Sequence, residues 1–73
     1  MENLSEALTK EQARVRKLIL QYRDPILGES GAFAVTMMEQ SLKNADKATM
    51  SGDITEMIKA YNDLKEYTAW QLI

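Results

Sequence analysis

The sequence predicts an all-α fold: a three-helix assembly in which the second and third helices form an antiparallel hairpin and copies associate as a homo-oligomer. Three observations lead there. Glycine and proline fall at only two places, Pro25, Gly28 and Gly31 within residues 23–31, and Gly52 within Ser51-Gly52-Asp53. Between those joints, apolar residues recur at the i, i+3, i+4, i+7 spacing of amphipathic helices. A chain of 73 residues with no cysteine buries only ~60% of its unfolded surface and has no disulfide to staple it, so association is the remaining support.

The first helix has a start signal at Thr9, whose side chain is placed to cap the backbone N–H of Gln12 while the Gln12 side chain reaches back. Ser5 is an alternative start that adds a turn through Glu6-Ala7-Leu8. Val15, Leu18, Ile19 and Tyr22 form one apolar stripe, with Arg14, Lys17 and Gln21 on another face. Pro25 disfavours helical geometry at Asp24 and ends the helix before it.

Ser30 reads as the cap of the second helix, which runs to Met50 or Ser51. Its stripe is Val35, Met38, Leu42, Ala45 and Thr49, widened by Phe33 and Met37. Gly52 suits the left-handed position past a helix end. Asp53 and Glu56 make a second capping box ahead of the third helix, where Ile54, Met57, Ile58, Tyr61 and Leu64 keep the helical period. Tyr67, Thr68 and Trp70 extend it. The chain is one small helical domain over 1–73, with 1–8 a frayed N-terminus and 23–31 a loop. The short joint at Gly52 forces the hairpin, and the longer one lets the first helix fold back across it.

Composition removes several function classes. With no cysteine and no histidine, disulfide frameworks, zinc fingers and Cys- or His-based catalysis are excluded. The carboxylates Glu39, Asp46, Asp53, Glu56, Asp63 and Glu66 cannot form the Glu-x-x-His pairs of helical di-metal sites, and no nucleophile–base pair stands out. The expectation is a protein that is not an enzyme and carries no cofactor or metal. Hydrophobic content of 45% with 27% charged residues is ordinary globular composition.

Net charge is −2, unevenly spread. Residues 1–23 carry five basic side chains (Lys10, Arg14, Arg16, Lys17, Arg23) against three acids, and the remainder carries four lysines against eight acids. Duplex nucleic acid is not an expected partner, because its binders show a basic excess across the domain. The basic first helix is either a solvated face or a holder of a small anion. No uncharged run approaches the ~20 apolar residues of a membrane span. The start, Met1-Glu2-Asn3-Leu4-Ser5-Glu6, lacks the basic and apolar regions of a signal peptide, so a cytoplasmic address is expected.

The segment from Arg23 to Phe33 is the richest candidate site. Ser30 and Gly31 at a helix start offer free N–H groups and the positive end of the helix dipole to an anion. Arg23 stands at the other end of the loop, and Tyr22 is available for base stacking. The Gly-x-x-Gly spacing matches no P-loop, and a plain structural joint is the competing reading. The methionines Met37, Met38, Met50 and Met57 fit core gap-filling or a binding groove. Tyr67, Trp70, Leu72 and Ile73 make an apolar cluster near the chain's end, either an interface or a segment folded back on its own core.

The runs Ser30-Gly31-Ala32-Phe33, Met37-Met38-Glu39-Gln40, Ala45-Asp46-Lys47-Ala48, Ser51-Gly52-Asp53 and Met57-Ile58-Lys59-Ala60-Tyr61 resemble small helical proteins encoded in phages and prophages, over roughly residues 9–67. A looser resemblance is to the helical hairpins of phage cyclic-nucleotide sponges, which counter CBASS and Thoeris defence by sequestering their signals. It rests on Glu29-Ser30 ahead of a helix and on Glu39-Gln40-Ser41-Leu42 within it. The sequence departs from that family in the apolar detail of the second helix and in the length of the joint to the third. Among ligand residues only Ser30 has a positional counterpart.

What the resemblance implies is a compact helical oligomer with nucleotide pockets at subunit contacts. Taken with the anion-receptive helix start and its neighbouring Arg and Tyr, it gives as the leading expectation a protein of the host cytoplasm that holds a cyclic oligonucleotide through Arg23, Ser30, Gly31 and Tyr22. The alternative is an inhibitor or adaptor that docks on a host defence protein through an apolar helical surface, with Trp70, Leu72, Ile73 and Tyr67 at the interface.

Overall fold

The computed structural model describes residues 2–68, which hold three α-helices and no strand: α1 (Leu4–Tyr22), α2 (Gly28–Ser51) and α3 (Ile54–Lys65). A single 3₁₀ turn, Pro25–Leu27, joins α1 to α2. Each helix packs against the other two, making a small bundle.

α1 starts upstream of the expected cap. Asn3 accepts from the Glu6 N–H at 2.8 Å, the cap bond expected of Thr9, and its side-chain Nδ2 donates to the Glu6 carboxylate at 3.1 Å, a side-chain pair in place of the backbone bond of a full capping box. Thr9 and Gln12 have other partners. The Thr9 hydroxyl donates to the Ser5 carbonyl at 2.9 Å inside the helix, and the buried Gln12 amide donates to Asp46 at 2.8 Å. Leu8 is almost wholly buried and Leu4 packs on the core, so apolar burial carries the helix through the segment expected to fray.

Asp24 then accepts from the Ile26 N–H at 3.0 Å, and Pro25 takes the first position of the 3₁₀ turn. Proline fits there because its missing N–H would have no helical partner. α2 follows directly from this turn with no side-chain cap. Ser30 is therefore inside the first turn, not its cap.

At the other joint, Gly52 takes the left-handed conformation (φ 71°) and its N–H donates to the Ala48 carbonyl at 3.1 Å, as glycine does past a helix end. Asp53 caps α3 by accepting from the N–H groups of Thr55 (2.9 Å) and Glu56 (3.3 Å). Only half the expected box forms: the Asp53 N–H goes to the Ser51 hydroxyl, and the Glu56 side chain pairs with Lys59.

The core takes Leu8, Val15, Leu18 and Ile19 from α1, Val35, Met38, Leu42, Ala45 and Ala48 from α2, and Met57, Ala60 and Leu64 from α3. The stripes expected of α1 and α2 are largely there. On α3 the phase is turned: Met57, Ala60 and Leu64 face inward, and Ile54 and Ile58 face out, Ile58 at 46% exposure. Small Ala60 takes the place facing the bundle, and the buried arc turns by less than one ~100° residue step, enough to carry Ile58 out of it. Phe33 and Met37 likewise lie off the buried stripe, and the Thr49 hydroxyl bonds back to the Ala45 carbonyl.

Candidate functional site

The joint between α1 and α2 was the expected site. A shallow crevice of about 280 Å³ opens there, lined by Tyr22, Arg23, Asp24, Pro25, Gly28, Ala32 and Val35. It brings two of the expected ligand residues together, Tyr22 and Arg23, and leaves out the other two.

Gly31 is buried, and its place is structural. A Cβ there would collide with the Tyr22 carbonyl oxygen and come within 2.8 Å of Leu27 Cβ. Glycine is required because the start of α2 presses on the last residue of α1, not because a ligand approaches. With Leu27 as the residue before the helix, the Gly31 N–H falls in the first intrahelical hydrogen bond. Ser30 is exposed one position away.

The charges around the joint do not favour an anion. Glu29 occupies the first turn of α2, where a carboxylate already complements the helix dipole. Asp24 lines the crevice, and the exposed Arg23 guanidinium lies 3.7 Å from Glu39. Tyr22 is half-buried and donates its hydroxyl to the Thr68 carbonyl at 2.9 Å.

Of the expected interface residues, Tyr67 turns inward. It packs on the core, and its hydroxyl lies 2.9 Å from the Ser41 hydroxyl. Trp70, Leu72 and Ile73 lie outside the described residues. The segment after α3 is further held by Arg14, whose guanidinium donates to the carbonyls of Leu64 (2.8 Å) and Tyr67 (2.7 Å) and to Glu11 (2.6 Å). The sequence put Arg14 off the apolar stripe, on a basic face read as solvated or as a holder of a small anion. The available signal was its neighbour Val15: a long cation flanking a core position reaches over the core's edge to an acceptor.

A larger open groove of about 610 Å³ runs between α2 and α3. Its floor is Ala48 and Ala60, and its rims carry Lys47 and Lys59 beside Glu56 and Asp63. Cations and anions alternate there, so it selects neither sign of ligand. Among the described residues no cluster of acidic side chains is arranged to hold a metal ion, and no helix is long and apolar enough to cross a membrane.

Exposed large apolar side chains are the other conspicuous feature. Leu20, Ile26 (83% exposed), Phe33 (68%) and Met37 flank the α1–α2 joint. Phe33 and Met37 are i, i+4 neighbours on one face of α2. Met50 and Ile54 flank the second joint. Comparison with protein-family models, with curated proteins and with solved structures found no match for this chain.

Proposed function

We propose that the chain is a non-enzymatic binding module that docks on a partner protein through the apolar surface at the α1–α2 joint. The observation that supports this is the exposure of Ile26 and Phe33, large apolar side chains with no use in the bundle itself. Aromatic and aliphatic anchors of this kind dominate protein interfaces when a partner desolvates them. In this reading α2 and α3 form an antiparallel hairpin that presents the surface rigidly, which their two-residue joint supports. The resemblance to phage-encoded proteins supports a setting in the host cytoplasm, where the partner is a component of a defence system.

Sequestration of a cyclic nucleotide is the second reading, supported by Tyr22 and Arg23 sharing one crevice. Its weaker elements are Ser30 and Gly31, for the packing and charge reasons given above.

The test is counter-defence activity in phage-infected cells carrying wild type or Ile26→Asp/Phe33→Asp, with calorimetric titration of cyclic di- and trinucleotides alongside. Docking predicts that the double variant keeps its helical circular dichroism and loses activity, and that no nucleotide binds. Full activity in the double variant, or nucleotide binding lost on Arg23→Ala, overturns docking in favour of sequestration.

A further inference from the structure

We propose that the chain forms a two-fold dimer in which α2 of each copy lies antiparallel along the α2–α3 groove of the other, with Phe33 and Met37 filling that groove. Phe33, Met37, Gln40, Asn44, Lys47 and Ser51 recur at i, i+4, i+7, i+11, i+14 and i+18, so they share one face of α2. All six are exposed, and the face runs ~27 Å. Its second half, Asn44, Lys47 and Ser51, is one wall of the groove. Its first half carries the apolar pair, Phe33 and Met37. α3 has 12 residues against the 24 of α2, and Tyr67 just past its end meets Ser41. Phe33 and Met37 lie a turn and more beyond Ser41, toward the start of α2.

One face therefore holds both a filler and a gap, and a two-fold axis joins them. Antiparallel pairing centred at the level of Leu42 sets Phe33 opposite Ser51 of the second copy, Met37 opposite its Lys47, and Gln40 opposite its Asn44. The axis repeats all three contacts with the copies exchanged, as an isologous interface requires. About 610 Å³ of open groove over Ala48 and Ala60 receives the phenyl ring and the thioether. The Lys47 stem covers apolar surface while its ammonium stays in water. The Gln40 amide, which donates to Asn44 of its own chain at 3.2 Å, has donors and an acceptor to meet the same amide across the axis. Charge agrees. Glu29 stands at the first half of the face and Lys43 and Lys47 at the second, so antiparallel pairing turns an acidic end toward a basic one. Rims of both signs, which suit no ligand of one sign, suit a surface that must meet itself.

The inference goes beyond the docking reading and divides its two anchors. Phe33 is covered in the dimer, whereas Ile26 belongs to the 3₁₀ turn and stays open to another protein. The readout is the mass of the purified chain, which no other protein enters, so the two readings fail separately.

Mass by light scattering and sedimentation is to be measured from micromolar to millimolar concentration on wild type, Phe33→Asp, Lys47→Glu and Ile26→Asp, with circular dichroism to verify the helices. Wild type should be a dimer that dissociates on dilution. Phe33→Asp should raise the dissociation constant ~30-fold or more, the scale of an interface anchor. Lys47→Glu should raise it several-fold, and Ile26→Asp should leave it unchanged. Because the chain has no cysteine, disulfide trapping reads the register. An oxidised mixture of Gln40→Cys and Asn44→Cys chains should form mainly the mixed 40–44 disulfide. A monomer throughout the series, a dimer indifferent to Phe33→Asp, or trapping that favours 40–40 over 40–44 overturns the proposal. A monomer whose activity in infected cells is lost on Phe33→Asp alone also overturns it and assigns the face to a different protein.

Discussion

The Arg14 guanidinium closes the C-terminal end of α3: its Nη2 donates to the Leu64 carbonyl at 2.8 Å, while Nη1 reaches the Tyr67 carbonyl one turn on at 2.7 Å. Helix ends leave their last carbonyls without intrahelical partners, and the negative end of the dipole favours a cation there. A side chain of α1 thus serves as the cap of α3.

Arg14→Ala should therefore destabilise the fold by ~2–3 kcal/mol, the scale of hydrogen bonds to a charged group. Arg14→Lys should recover only part of it, because an ammonium cannot reproduce the planar fork that meets two carbonyls. Urea denaturation of the three proteins measures the difference. A change near zero for Arg14→Ala would mean that water replaces the guanidinium without cost.

Gly31→Ala should cost ~1–3 kcal/mol, the usual penalty for forcing extra volume into close packing, since the added methyl meets a backbone carbonyl that cannot step aside. Ser30→Ala, one position away and exposed, should be nearly neutral. Thermal melts of the pair separate a packing glycine from a ligand-binding one: only the packing role lowers the melting temperature in the absence of any ligand.

Leu42→Ala should lose ~2–5 kcal/mol as a buried large-to-small change, a substantial part of the 5–15 kcal/mol typical of whole domains. Ile58→Ala should lose about 1 kcal/mol or less, because its side chain is half in water and leaves no sealed cavity. Equal losses at the two positions would show that Ile58 is covered in solution, as association of copies through α3 would do.

Asp46→Ala should cost ~1–3 kcal/mol by leaving the buried Gln12 amide without its acceptor. Gln12→Leu in the Asp46→Ala background should restore part of the loss, because an apolar side chain at that buried position asks for no partner. A double-mutant cycle read by chemical denaturation checks both.

The helices and most of the core were legible in the sequence because local periodicity and turn chemistry determine them. Val15, Leu18, Ile19, Val35, Met38, Leu42 and Ala45 lie where the 3.6-residue period puts them, and Gly52 and Asp53 end and start helices as their chemistry predicts. What was hidden depends on residues far apart in sequence. Thr9 and Gln12 satisfy the pattern of a capping box, but Gln12 bonds to Asp46 across the bundle. Gly31 fits an anion-binding turn equally well until Tyr22 is placed against it. Ile58 has the right spacing for the core, and only packing against the other two helices, which buries Ala60, decides which of two adjacent faces goes inside.

The Arg14 contacts also set an order of events in folding. They join residues 50 and 53 positions apart, and closing so long a loop is entropically costly until other contacts hold the chain together. Pairing of α1 with α2 across the short 3₁₀ turn has no such delay, so the expected order has the guanidinium engage α3 late, beyond the transition state. Interactions made that late govern how fast a protein opens, not how fast it closes. Stopped-flow measurements on Arg14→Ala should accordingly show faster unfolding with a nearly unchanged refolding rate, making this one side chain a latch on the lifetime of the folded state.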